Sequence, residues 1–116
     1  VPGSADRLTQ VVMNLLLNAV DAVAGQGTIG VSVRRSGDEA VEIAVEDSGP
    51  GIAPEVRAHL FEPFVTTKPA GRGTGLGLAV CHTIVERLGG TIRAENRTEG
   101  GARFVVRLPI AREAKP

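Results

Sequence analysis

A chain of 116 residues has the length of one domain, enough to bury a single core but not two. With 42% hydrophobic and 22% charged residues, its composition is that of a soluble globular domain and excludes a disordered tail. Thirteen basic residues against thirteen acidic ones exclude a global field that would draw the chain onto nucleic acid or into direct contact with an anionic membrane. Any anion it binds must be caught by local geometry.

The predicted elements follow in chain order. Asp6 is placed to cap a helix running to about Ala24, with Leu8, Val11, Val12, Leu15, Ala19 and Val23 at helical spacing, and "GQG" ends it. The segments "TIGVSVRR" and "AVEIAVED" alternate with period two around "SGDE", the pattern of an antiparallel hairpin. A loop-rich middle from Ser48 to Gly73 contains a short helix near Pro54 to Leu60. A second long helix is expected over 74–88, with Leu76, Val80, Ile84 and Leu88 on one stripe and Gly89-Gly90 as its left-handed stop. Two further strands, "TIRAEN" and "ARFVVRLP", flank the turn "RTEGG". Alternating hairpins between helices predict an α/β fold, a two-layer sandwich in which a mixed, mostly antiparallel sheet is covered on one face by helices and wetter on the other. One domain over 1–111 and a frayed tail over 112–116 are expected. The lone cysteine, Cys81, has no internal disulfide partner, and its apolar setting reads as core packing in a reducing compartment. With no signal peptide and no membrane-length apolar run, the expected location is cytoplasmic, within a parent protein that can itself be membrane-anchored.

Three features carry candidate chemistry. Asn14 and Asn18 lie four apart on one helix face beside Asp21, in a polar stripe shared with Arg7 and Gln10. Two amides a turn apart can aim carbonyl oxygens at a hard cation such as Mg²⁺; helix capping or core hydrogen bonding is the alternative. In "VEIAVED", Val41, Ile43, Val45 and Asp47 share one side, so Asp47 ends an inward apolar row where a carboxylate is costly without donors. The glycines after it leave room for a flat ligand whose amino group could donate. The alternative is an Asx turn. Finally, "GRGTGLGL" is neither a Walker loop nor a dinucleotide fingerprint. It is a glycine-rich turn into a helix start, whose free N–H groups and positive dipole end suit phosphate. Gly73, Gly75 and Gly77 would let the main chain approach the anion, and a flexible loop is the alternative.

Taken together, "NLLLNAVDA", "DSGPG", "FEPF" and "GTGLGL" resemble the N box, first glycine box, F box and second glycine box of the catalytic ATP-binding domain of bacterial sensor histidine kinases. The relatives include type II topoisomerases, MutL-type repair proteins and the large heat-shock chaperone, and the shared fold is the Bergerat-type ATP-binding fold. The four boxes in order span nearly the whole chain, and "FEPFVTTKPAGRGTGLGLAVCH" resembles the short-lid, nitrogen-regulation type. The resemblance implies ATP and Mg²⁺ as cofactors, with Asn18, helped by Asn14, as metal ligand. It makes Asp47 the adenine reader, with Gly49 and Gly51 giving close backbone approach. Phe61 and Phe64 would anchor a lid, and Gly73, Thr74, Gly75, Leu76 and Gly77 would line the triphosphate.

The chain departs from that pattern in several places. ATP-hydrolysing relatives carry a glutamate where Asn14 stands, so slow hydrolysis is expected. Many sensor kinases carry Lys or Arg where Asp21 stands, so Lys68, with Arg72 second, is expected to contact phosphate from the lid. Neither His59 nor His82 sits in an acceptor pattern; both are expected at the surface. The acceptor histidine then belongs to a separate dimerisation and histidine-phosphotransfer domain, with a response regulator downstream, and the family's first strand would precede this chain. An anti-sigma-type serine kinase, a non-catalytic ATP-gated switch and a degenerate module without ATP are the competing readings.

Overall fold

A computed structural model describes residues 4–37, 39–57, 59–62 and 77–109. Its elements are α1 (Ser4–Val23), β1 (Ile29–Ser36), β2 (Ala40–Asp47), α2 (Pro54–Arg57), α3 (Gly77–Arg87), β3 (Thr91–Asn96) and β4 (Ala102–Pro109). The strands form one sheet in the order β1-β2-β4-β3, and the three pairings among them are antiparallel. Helix α1 packs over β2 and against α3, which lies over β3. The expected α/β sandwich with helices on one face is what forms.

The apolar residues at helical spacing in α1 place Val11, Leu15 and Ala19 in the core, with Leu8, Val12 and Leu16 against it. Asp6 is not the cap. The helix already runs at Ser4, so Asp6 lies in the first turn, where its charge complements the positive end of the helix dipole. At the other end Ala24 and Gly25 turn left-handed, with φ of 51° and 85°, and only the glycine does so without a Cβ penalty.

Period-two alternation sends Ile43, Val45 and Asp47 of β2 and Ala102, Phe104, Val106 and Leu108 of β4 into the helix-facing core. The helix layer stops short of β1, whose Val31 and Val33 stay 51% and 64% exposed. On the opposite face the register aligns charges across strands. One row joins Arg34 to Glu42 at 3.4 Å and Glu42 to Arg107 at 3.2 Å; another joins Glu46 to Arg103 at 2.6 Å and Arg103 to Glu95 at 2.9 Å. Val105, buried at 3% exposure, lies between these rows. Cross-strand opposite charges of this kind hold register more than they add stability.

Helix α3 departs from the expected stripe. Its buried side chains are Cys81, Ile84 and Val85, whereas Val80 is exposed. Because α3 must face α1 and the sheet together, its apolar arc is turned about one position from the one expected. Positions 74–76 of the expected helix lie outside the described residues. Gly89, with φ 83°, forms the stop, and the N–H of Gly90 returns to the Val85 carbonyl at 2.9 Å. A Cβ on Gly90 would strike the Arg107 carbonyl oxygen, so the second glycine of the pair is required by packing.

Two expected outcomes follow from this packing. A Cβ on Gly101, whose φ is 91°, would collide with the Asp47 carbonyl, so Gly101→Ala should cost roughly 2–4 kcal/mol in urea denaturation. The Glu95 carboxyl is held below its ordinary value, first by its hydrogen bond from Arg103. A lowered carboxylate pKa stabilises the fold at higher pH and loses that contribution as pH falls through the folded-state value. Glu95→Gln should therefore flatten the drop in melting temperature below about pH 4.5, an effect kept small by solvent screening.

Candidate functional site

Asp47 is the one buried charged side chain among the described residues, at 2% exposure. It closes β2 at the point where the alternating apolar row reaches the loop 48–53. Its Oδ1 accepts the Gly49 N–H at 2.9 Å and the Ala102 N–H at 3.4 Å. The first of these is an Asx turn, so that reading and a ligand-reading carboxylate are compatible: among the described residues both hydrogen bonds fall on Oδ1, leaving the lone pairs of Oδ2 for another donor.

The loop's glycines have local structural reasons of their own. A Cβ on Gly49 would lie 2.6 Å from the Ala22 carbonyl oxygen, so this loop is pressed against the last turn of α1. Gly51 has φ 86°, and a Cβ there would lie 2.9 Å from Asn96 Oδ1. The Asn96 amide bonds Ile52 twice, accepting its N–H at 2.7 Å and donating to its carbonyl at 3.1 Å. Arg97 donates from Nη1 to the Asp47 carbonyl at 2.9 Å. Sequence reasoning missed Asn96 and Arg97, because no local pattern marks contacts 44 and 50 residues away.

Asn14, Asn18 and Asp21 are each half-buried on α1. Asn14 sits at the start of α3: a Cβ on Gly77 would be 4.0 Å from its Cγ. Its amide also hydrogen-bonds the Cys81 thiol, whose S–H reaches the Val11 carbonyl at 3.7 Å. Ala22, the contact of Gly49, lies eight residues further along, about 12 Å of helix rise. One rigid helix therefore ties the Asp47 loop at one end to the α3 N-terminus at the other, with Asn18 between them. That span suits an extended nucleoside triphosphate. Among the described residues no cluster of three His, Cys, Asp or Glu could cage a metal ion. The polar stripe of α1 offers the amide oxygens of Asn14 and Asn18 beside the Asp21 carboxylate.

Phe61 stacks on His82 with ring centroids 5.6 Å apart and meets Phe104 edge-on at 6.5 Å. His82 is thus half-buried against Phe61 rather than a plain surface residue; its Nε2 also faces Glu86 at 3.6 Å. His59 is exposed as expected, paired with Glu62 at 2.9 Å. Phe64, Lys68, Arg72, Gly73, Thr74, Gly75 and Leu76 lie outside the described residues.

The profile of the family described as "Histidine kinase-, DNA gyrase B-, and HSP90-like ATPase" matches residues 3–112. The chain belongs to this ATPase family. The sensor histidine kinase ZraS of Salmonella typhimurium is 47% identical over 110 residues, covering 95% of this chain and 23% of the relative. The chain thus spans about a quarter of that curated relative's length. Among solved structures, the mycobacterial sensor histidine kinase MprB aligns with a TM-score of 0.81 at 30% identity, covering 94% of this chain and 76% of that one. The histidine kinase ThkA in complex with the response regulator TrrA aligns at 0.77 and 34%, covering 95% and 30%. Histidine kinase-type ATPase domains bind ATP.

Burial, partly offset by the hydrogen bond from Asn14, pushes the Cys81 thiol above its ordinary value. Since the thiolate is the nucleophile, iodoacetamide at pH 8 should label native Cys81 at least about 100-fold more slowly than the chain unfolded in guanidinium chloride. Comparable rates in the two states would contradict the buried thiol.

Proposed function

We propose that this chain is the ATP-binding catalytic domain, over 1–111, of a two-component sensor histidine kinase. It would transfer the γ-phosphate of ATP to a histidine on a separate dimerisation and phosphotransfer domain, and a response regulator would then receive the phosphoryl group. The carrying observation is the buried Asp47 carboxylate with Oδ1 held by two backbone N–H groups. In this reading Oδ2 accepts the exocyclic amino group of adenine. Kinship with ZraS and with ThkA in complex with its response regulator supports the kinase and partner assignments.

Asn18, assisted by Asn14, would hold Mg²⁺, which neutralises phosphate charge when bound. Gly49 and Gly51 would carry the base past the loop, and Phe61 with Phe64 would anchor the lid. Gly73, Thr74, Gly75, Leu76 and Gly77 would surround the phosphates, with Lys68, or Arg72, supplying a cation. An amide at position 14 has no basicity to activate water, so hydrolysis should be slow. A neutral imidazole needs no base to attack phosphorus: its nitrogen bonds to the γ-phosphorus as the bond to the β-phosphate oxygen breaks and ADP departs. No helix among the described residues is long and apolar enough to cross a membrane; a cytoplasmic position beneath a membrane-anchored parent is part of the proposal.

The experiment is phosphotransfer from γ-labelled ATP to an added acceptor-helix domain. Acid-labile label on that domain is expected; acid-stable label would favour a serine kinase, and none a nucleotide-gated switch. Saturating Mg-ATP, at about a hundredfold over Kd, should raise the melting temperature on the order of 10–20 °C. Asp47→Asn should weaken ATP binding at least about tenfold. A domain whose melting is unmoved by Mg-ATP would overturn the assignment.

A further inference from the structure

The turn between β3 and β4 grips the loop after β2 from both sides. Asn96 takes Ile52 as a strand neighbour would, with one donor and one acceptor at 3.1 and 2.7 Å. Arg97 fixes the carbonyl of Asp47 at 2.9 Å, and the Ala102 N–H reaches its carboxylate at 3.4 Å. The turn is itself closed by Arg97 N–H to the Gly101 carbonyl at 2.8 Å and Gly100 N–H to the Arg97 carbonyl at 3.1 Å. Segment 47–52 is therefore clamped at its first and last residues, and the carboxylate direction is set from a hairpin about fifty residues downstream.

Arg97 is an unusual choice for a plain turn residue. Its side chain is only 15% exposed. Its Nε is buried without a hydrogen-bond partner among the described residues, because Glu46 Oε1 at 3.8 Å is too distant to accept. Burying an unsatisfied guanidinium nitrogen is unfavourable. What this placement gains is a charge-assisted hydrogen bond to the main chain of Asp47, with Nη2 steadied by Glu99 at 3.1 Å.

We propose that Asn96 and Arg97 are positioning residues of the base site, orienting Asp47 so that it discriminates for the exocyclic amino group of adenine. The inference rests on the reading of Asp47 as the base-recognising group. A side chain that merely stabilises the fold would weaken every nucleotide alike; one that aims Asp47 weakens only those bearing the amino group.

The test compares calorimetric affinities of the 116-residue chain for Mg-ATP and for purine riboside triphosphate, which lacks the 6-amino group. The native chain should prefer ATP at least about tenfold, the worth of a hydrogen bond to a charged group. Arg97→Met and Asn96→Ala should reduce that preference to below about threefold, chiefly by weakening ATP. Arg97→Lys, which keeps a donor for the Asp47 carbonyl, should restore part of it. If Arg97→Met loses its cooperative thermal transition, Asn96→Ala and Asn96→Asp decide, the latter keeping the acceptor for the Ile52 N–H and losing the donor to its carbonyl. Folded clamp variants with the full native preference, or with equal losses for both nucleotides, overturn the inference alone. A native chain that binds both nucleotides alike overturns the role of Asp47 itself, and this inference with it.

Discussion

A carboxylate carried into the interior at the end of an apolar strand is stable only if the protein supplies donors, since desolvation without them costs several kcal/mol. Among the described residues Asp47 receives two, both backbone N–H groups on one oxygen. The arrangement dictates much of its surroundings. Gly101 must lack a side chain because the Asp47 carbonyl lies against it, and Gly49 must lack one because its loop abuts α1. A carboxylate satisfied on one side and, among the described residues, unbonded on the other is what the proposed reading of a flat ligand with an amino donor rests on.

Helix α1 sets the length of the proposed site. Its core stripe of Val11, Leu15 and Ala19 fixes it on the sheet. Its polar stripe then runs from the Asp47 loop near Ala22 to the α3 start near Asn14. The Cys81 thiol and the Asn14 amide bind the two helices at that end. The charged rows on the far face of the sheet keep the strands in register, which matters because a slip of one residue in β2 would turn Asp47 out of the interior.

Much of this was legible in the sequence. Period-two alternation located all four strands closely, and the same alternation put Asp47 on the buried side. Amide spacing put Asn14 and Asn18 on one face of α1. The parts not legible depend on tertiary contact. In α3, Cys81 is buried as its apolar setting suggested, but Val80, expected on the buried stripe, is exposed, because only the angle between helix and sheet decides which arc faces inward. His82 looked like a solvent residue because its partner, the Phe61 ring, comes from a different element. Asn96 and Arg97 stand in an ordinary turn sequence, and their importance exists only once β3 and β4 bring that turn against the loop at 47–52. Local signals also misplaced the helix start, since an aspartate serves either as cap or within the first turn.

In the proposed site the Asp47 loop, the α1 amides and the α3 start contact one nucleotide. A titration of the isotope-labelled chain with Mg-ATP, followed by two-dimensional NMR, tests it directly. The backbone amides of Gly49, Ala102 and Gly77 and the side-chain amides of Asn14 and Asn18 should shift together along a single binding curve. Shifts confined to one of these groups, or following separate affinities, would contradict it.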